Sequence, residues 1–421
     1  MYNYIIKGGT KLSGEMDVSG SKNATLPILA ATILNGKISK LYNVPDISDV
    51  QTTIKILESL GCKIKKDKKK LVIDSRNVKQ TTIPEDLMRK LRSSVIIAGA
   101  LISRFGEANF SYPGGCDIGS RPIDLHLKGF KKIGIKIDEN TSNIVCKCDK
   151  IISTEIQLDF PSVGATENLI LASVIGTHEV LIKNAAMEPE IVDLADFLNR
   201  MGAKVTGAGT NIIKIRGVKE LREVSYTIMP DRIEAGTLLL ATAITGGEIK
   251  LNKACSEHIS PILHKLQECG CKIDCVKNTI YLKSNGKLVG TEIKTMPYPG
   301  FPTDLQPLFT TFLTTCKGTS IVTENIFENR YKFAQELKRM GAKINIEGKT
   351  AIIKGGKRLH GANVESTDLR GGASLMIAGL VARGTTKIKK VEYILRGYDN
   401  LDKKLNSLGA NIIREEERNE N

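Results

Sequence analysis

Met201-Gly202-Ala203-Lys204-Val205 closes an amphipathic helix pattern and opens a strand pattern, and the chain writes this step six times. The other copies are Leu60-Gly61-Cys62-Lys63-Ile64, Ile133-Gly134-Ile135-Lys136-Ile137, Cys269-Gly270-Cys271-Lys272-Ile273, Met340-Gly341-Ala342-Lys343-Ile344 and Leu408-Gly409-Ala410-Asn411-Ile412. Their glycines are spaced by 73, 68, 68, 71 and 68 residues. A glycine just past a helix end takes the left-handed C′ conformation at no steric cost. A second series, Gly36, Gly106, Gly176, Gly246, Gly318 and Gly384, interleaves with the first at spacings of 70, 70, 70, 72 and 66. Two series with one period argue against coincidence.

The repeat is therefore about 70 residues long, with two helices and several strands. Its first helix, as at residues 238–243 or 375–382, is apolar almost all round, which marks a helix buried on most sides. Its second, as at residues 332–340, is amphipathic: Phe333, Leu337 and Met340 share a face, and Lys332, Glu336 and Lys338 lie elsewhere. Apolar helices inside and sheets outside satisfy that pattern, so the fold class is α/β (α+β by some schemes). Six units in 421 residues point to two domains of three units, with a substrate between them.

Composition narrows the partners. The formal net charge of +15 favours anionic ones. The chain has no Trp, and no aromatic platform accompanies its basic residues, so nucleic acid is not expected. The run Lys65-Lys66-Asp67-Lys68-Lys69-Lys70 reads as an exposed turn between two strands, and the polar residues 414–421 as a frayed end. No signal peptide pattern and no membrane-length apolar run is present, which makes a cytoplasmic location the expectation. Nine scattered cysteines then read as reduced thiols. Cys269, Cys271 and Cys275 lie near His258 and His264 but lack the spacing of a zinc ribbon, so core packing is expected there and no metal.

One cysteine stands apart. Cys116 lies in Pro113-Gly114-Gly115-Cys116-Asp117-Ile118-Gly119-Ser120-Arg121-Pro122, which is neither a helix interior nor a central strand. A thiol in such a loop, five residues from a guanidinium, is placed for reactivity.

Other polar residues cluster just before the apolar helices. Ser19-Gly20-Ser21-Lys22-Asn23, Ser162-Val163-Gly164-Ala165-Thr166, Asp231-Arg232, Pro302-Thr303-Asp304 and Asp368-Leu369-Arg370 all occupy that place. Asp231, Asp304 and Asp368 read equally well as N-caps. Caps do not account for Lys22, Arg232 and Arg370, because cations are disfavoured at helix N-termini, and an anionic ligand is expected there. Arg330 and Arg396, with Lys22, Arg92, Arg121 and Arg370, extend the set of cations suited to carboxylate and phosphate.

With these motifs the chain closely resembles the UDP-N-acetylglucosamine 1-carboxyvinyltransferase family, the enolpyruvyl transferases that begin peptidoglycan synthesis. The resemblance runs from Ile6 to about Ile413 and includes Glu188-Pro189-Glu190-Ile191-Val192-Asp193, Phe327-Glu328-Asn329-Arg330 and Arg396-Gly397-Tyr398. The sister family, 5-enolpyruvylshikimate-3-phosphate synthases, shares the six-unit architecture but not the cysteine loop.

The resemblance implies two inside-out α/β barrels, 22–229 and 1–21 plus 230–421, with the active site in the cleft between them. It implies transfer of enolpyruvate from phosphoenolpyruvate to the 3′-hydroxyl of UDP-N-acetylglucosamine, with no cofactor, metal, nucleic acid or membrane, by a protein expected to be a monomer. Cys116 is implied as the acid that protonates C3, as a site of adduct formation with phosphoenolpyruvate, and as the atom alkylated by fosfomycin. Asp304 is implied as the base. Lys22, Asn23, Arg121 and Arg396 would bind phosphoenolpyruvate and the departing phosphate, with Arg330 and Arg370 holding its carboxylate or, with Asp231 and Asp368 nearby, the closed state. Asn23, Arg92, Arg121, Pro122, Ile123, Asp124, Leu125, Ser162, Val163, Gly164, Asp304 and Ile326 would bind the nucleotide sugar. Some relatives carry Lys before the Ser-Val-Gly motif where this chain has Phe160-Pro161, so no phosphate contact is expected from that position.

Overall fold

All twelve glycines of the two series have φ between 59° and 141°. Gly61, at φ 110°, closes the helix Ser48–Leu60; its N–H donates to Glu58, and Cys62 N–H donates back to Leu57. An L side chain is strained at such an angle, so the glycine ends the helix and starts the strand Lys63–Asp67.

The computed structural model describes residues 2–114, 118, 123–140 and 143–416. These fall into two compact units, one of residues 20–114 and 123–229, the other of residues 2–19, 118 and 230–416. Each is an inside-out α/β barrel, with apolar helices within and sheets without.

In the 20–229 unit the inner helices are Lys22–Ala31, Ile96–Phe105 and Val163–Ala172. Every residue from Ala165 to Ala172 is buried, including Glu167 and Asn168, as the all-round apolar pattern requires. In the other unit Arg232–Thr245, Gln306–Leu313 and Leu369–Val381 pack on one another in the same role. The amphipathic helices, such as Pro189–Arg200 and Phe333–Arg339, turn only one face to the core.

Among the described residues, five of the six sheets have four strands in one arrangement. The strand before an inner helix pairs parallel with a strand after an inner helix, and an antiparallel pair completes the sheet: a hairpin in four of them, and the strands Tyr2–Lys7 and Asn411–Glu416 in the fifth. Thr154–Gln157 beside Glu179–Lys183 is one such parallel pair. The sixth sheet has three strands, and a lone parallel bridge between Thr82 and Asn109 takes the fourth place.

Two parallel pairs set the unit boundary. Ser13–Asp17 leads into the helix Lys22–Ala31 yet pairs with Glu248–Asn252, while Val224–Thr227 leads into Arg232–Thr245 yet pairs with Ile38–Tyr42. The chain therefore leaves one unit after Ser19 and returns at Pro230. Gly20 sits at the first crossing because a Cβ there would come within 1.7 Å of the Asn43 carbonyl oxygen.

Two sequence expectations need correction. Lys65 and Lys66 belong to a strand, and the turn is confined to Lys68-Lys69 between Lys63–Asp67 and Lys70–Asp74. Residues 414–416 are not frayed: they pair with the N-terminal strand as far as Tyr2↔Glu416, and the Arg414 guanidinium lies 4.3 Å from the Tyr2 ring centroid. The ladder partner compensates for their polarity, because their side chains face solvent while their backbone groups are paired.

The 20–229 unit carries buried carboxylates. Asp193 accepts the Tyr226 hydroxyl at 2.7 Å and Met229 N–H at 3.3 Å. Burial nevertheless pushes its pKa from 3.8 up to about 6. An acid with a raised folded pKa stabilises the fold when protonated, and that contribution is lost as pH rises through the folded value. Asp193→Asn should remove this dependence. The unfolding free energy of the parent relative to the variant should fall by about 2 kcal/mol between pH 4 and pH 7 in denaturant titrations. A constant difference across that range would contradict the assignment.

Candidate active site

The repeat shows where the chain departs from its scaffold. In four units the residue after the strand that follows the inner helix turns the chain at positive φ: Asn43, Asn184, Lys253 and Lys390. The other two units lack this turn. After Glu107–Ser111 comes the stretch holding Cys116, and after Thr319–Thr323 comes Glu324-Asn325-Ile326-Phe327 on the way to Arg330. Cys116, Arg121 and Pro122 lie outside the described residues. Ile118 is described: it is buried, and its carbonyl accepts from Asn329 N–H at 3.1 Å.

In the 230–416 unit the structure gathers Asp304, Arg330, Arg370 and Asp368. Asp304 stands in a single helical turn, Thr303–Leu305, where Pro302 occupies the cap position and no side chain caps. The cap reading of Asp304 is therefore replaced by a different role. Its Oδ1 meets Arg330 Nη2 at 3.1 Å and its Oδ2 meets Arg370 Nη2 at 3.2 Å, so one carboxylate bridges two guanidiniums. Asp231 and Asp368 do cap. Asp231 accepts from Ile233 and Glu234 N–H, and Asp368 from Arg370 and Gly371 N–H.

The two arginines differ in what they have left to give. Arg330 directs Nε and Nη2 to the Thr303 carbonyl at 3.2 and 3.0 Å, and its Nη1 lies 3.8 Å from Asp368. Arg370 is equally buried, with its guanidinium 5.1 Å from the Tyr398 ring centroid. Its Nε and Nη1 have no hydrogen-bond partner among the described residues. Buried donors are ordinarily satisfied, and a charged one most of all. Arg396 is half-buried at the end of the short helix Glu392–Leu395, two residues before Tyr398. Ile326 is half-buried, and its N–H donates to Glu324.

In the 20–229 unit Lys22 opens its helix behind the cap Ser21, whose hydroxyl accepts Ala24 N–H. Asn23 follows it, half-buried. Lys22 Nζ meets Asp49 Oδ2 at 2.7 Å. The protein itself thus supplies a counter-ion, which weakens the argument that a cation at this helix start implies an anionic ligand. Arg232 likewise lies over the Tyr298 ring, 5.5 Å from its centroid. Nothing in the sequence singled out Asp49, which sits in the first turn of a neighbouring helix.

Arg92, Asp124, His126 and Gly164 form a second group in this unit. Burial pulls the Arg92 pKa down against the pull of Asp124. His126 was not foreseen, although it directly follows the Ile123-Asp124-Leu125 stretch. Burial, with the Arg92 charge, pushes its pKa down to about 3, so it is neutral at pH 7. Asn168 fixes the tautomer. Its Oδ1 accepts Gly99 N–H at 2.8 Å, so its amide nitrogen donates to Val95 O and to His126 Nδ1 at 3.0 Å, leaving the proton on Nε2. A Cβ on Gly164 would lie 3.4 Å from that nitrogen. Ser162 caps the helix Val163–Ala172 through Ala165 N–H, with Val163 and Gly164 in its first turn. Ile123 is buried, Leu125 half-buried and Asp124 exposed.

The family model for EPSP synthase (3-phosphoshikimate 1-carboxyvinyltransferase) matches residues 6–405. The chain is 52% identical to UDP-N-acetylglucosamine 1-carboxyvinyltransferase 2 of Caldanaerobacter subterraneus subsp. tengcongensis, over 98% of this chain and 100% of that one. The chain belongs to the UDP-N-acetylglucosamine 1-carboxyvinyltransferases, within the EPSP synthase family. It is also 47% identical to UDP-N-acetylglucosamine 1-carboxyvinyltransferase 1 of Staphylococcus aureus, over 98% of this chain and 99% of the relative. Among solved structures, the enolpyruvyl transferase NikO from Streptomyces tendae superposes with a TM-score of 0.88 at 22% identity, covering 98% of each chain. EPSP synthase from Acinetobacter baumannii does so with a TM-score of 0.75 at 17% identity, covering 99% of this chain and all of that one. These two likenesses speak for the fold. The nucleotide-sugar relatives speak for the family branch, and with it for a transferase acting on small molecules. No helix among the described residues is long and apolar enough to cross a membrane.

Proposed function

We propose that this chain transfers the enolpyruvyl group of phosphoenolpyruvate to the 3′-hydroxyl of UDP-N-acetylglucosamine and releases phosphate, the first committed step of peptidoglycan synthesis, in the cytoplasm. The observation that best supports the reading is the Asp304 cluster: a carboxylate between two arginines, one of which has two buried guanidinium nitrogens with no hydrogen-bond partner among the described residues. Such donors suit the carboxylate or phosphate of an anionic substrate.

The reaction is an addition followed by an elimination. The sugar hydroxyl oxygen bonds to C2 of phosphoenolpyruvate as Asp304 takes its proton, and Cys116 delivers a proton to C3. The C2–O bond to phosphate then breaks as C3 returns a proton, and the double bond re-forms. Lys22, Asn23, Arg121 and Arg396 hold phosphoenolpyruvate and the departing phosphate, Arg370 offers its spare donors to the carboxylate, and Arg330 keeps Asp304 in place. Asp231 and Asp368 support the two helix starts that carry Arg232 and Arg370. Arg92, residues 121–125, Ser162, Val163, Gly164 and Ile326 take the nucleotide sugar, with the neutral His126 offering its Nε2 proton beside Gly164. The Cys116 thiolate is the nucleophile for adduct formation and for alkylation by fosfomycin.

The test is phosphate release from phosphoenolpyruvate with and without UDP-N-acetylglucosamine, with mass spectrometry of the sugar product. Release that needs both substrates supports the proposal, and release that ignores the sugar contradicts it.

A further inference from the structure

Glu324 is 2% exposed and stands where four other repeats place only a turn residue. Its carboxylate accepts four hydrogen bonds. Oε1 takes Thr295 Oγ1 at 2.9 Å, Ile326 N–H at 2.8 Å and Phe327 N–H at 3.1 Å. Oε2 takes Thr303 Oγ1 at 3.0 Å. Thr295 Oγ1 in turn accepts Asn325 N–H at 2.8 Å. One buried side chain therefore ties three pieces of backbone together: the end of the strand Glu292–Lys294, the turn 325–327, and Thr303, the residue before Asp304.

The tie continues on the far side of Thr303. Its carbonyl receives both Nε and Nη2 of Arg330, and the same Nη2 reaches Asp304 Oδ1. Thr303 is thus gripped by side chain and by main chain, and the two grips converge on the Asp304 carboxylate. A full set of partners is what permits a carboxylate to be buried at all, and charge-assisted bonds are the stronger kind. All four of the described bonds to Glu324 come from the protein's own backbone and hydroxyl groups.

We infer that Glu324 is a positioning residue for the acceptor half of the reaction, holding Asp304 in register with the Ile326 turn. The inference rests on the reading of Asp304 as the base for the sugar hydroxyl. A displacement of about 1 Å at a reacting group is enough for a loss of about 100-fold, so the strut is felt in turnover.

The experiment is a double-mutant cycle with steady-state kinetics in both substrates. Thr303→Val removes one hydroxyl and keeps the shape. It should lower kcat about 10- to 100-fold, with KM for phosphoenolpyruvate unchanged within about two-fold. In an Asp304→Asn background the same change should cause no further loss, because Thr303 acts through Asp304. Glu324→Ala should behave like Thr303→Val. Glu324→Gln should recover most of the loss, since its amide oxygen keeps the Oε1 partners and its nitrogen donates to Thr303 Oγ1. If Asp304→Asn itself keeps full turnover, the reading of Asp304 fails and the inference with it. If Asp304→Asn is impaired while Thr303→Val and Glu324→Ala turn over like the parent, or if the two losses multiply independently, the inference about Glu324 alone is overturned.

Discussion

Asp304→Asn is expected to lower kcat about 10²- to 10⁴-fold, the range that removal of a general base produces. The substitution keeps size and one carbonyl oxygen, so Arg330 or Arg370 retains an acceptor. The carboxylate charge is lost, however, and an amide N–H now faces the other guanidinium, so the unfolding midpoint should fall, though less than in Asp304→Ala. Asp304→Ala makes the contrast: it strips both guanidiniums of a shared partner, and breaking a buried ion pair costs about 3–5 kcal/mol. The exposed edge of Asp304, 28% of its side chain, places it toward the lower end of that range. Unfolding midpoints and kcat measured on both variants separate the two roles. An Asn variant that turns over like the parent would remove Asp304 from the chemistry.

Cys116→Ser is the second large effect. A hydroxyl is a far weaker acid than a thiol, so proton delivery to C3 should slow, again by about 10²- to 10⁴-fold in kcat. The remaining cysteines provide the control. Burial pushes the Cys62, Cys146 and Cys271 thiols up to about 12, and Cys269 and Cys316 are buried as well. Cys275 is exposed, yet burial of its sulfur still raises its pKa. Loss of activity under a thiol-directed electrophile should therefore follow modification of Cys116 and not of Cys275, read by peptide mass spectrometry. Full activity in Cys116→Ser, or inactivation that follows Cys275, would exclude Cys116 as the acid.

The fold was legible because it is repetitive. A residue type required by backbone conformation, recurring twice per 70 residues, reports element order without any knowledge of long-range pairing. The crossing of the strands 13–17 and 224–227 between units was not legible, since parallel pairing across 235 and 185 residues leaves no local mark. The site was legible where a residue breaks the expectation of its position. Arg370 is such a case: a cation at a helix start with two donor nitrogens that have no hydrogen-bond partner among the described residues. Lys22 looked identical in sequence and is answered by Asp49, because a helix-start cation shows in sequence but its counter-ion on another helix does not. Asp231, Asp304 and Asp368 were equivalent on paper. Packing separates them, with two spending their oxygens on helix N–H groups and one on two arginines. His126 and Glu324 were missed for opposite reasons. A buried neutral histidine reads as core, and a lone glutamate after a strand reads as surface. Glu324 was nonetheless recoverable by aligning the repeats, since it replaces Asn43, Asn184, Lys253 and Lys390.

The most direct test of the account is phosphate release from phosphoenolpyruvate by the purified chain, followed with and without UDP-N-acetylglucosamine. The account predicts multiple turnovers only when both substrates are present, with an enolpyruvyl ether at the sugar 3′-oxygen as co-product. No release with both substrates, or release at the same rate without the sugar, would contradict it.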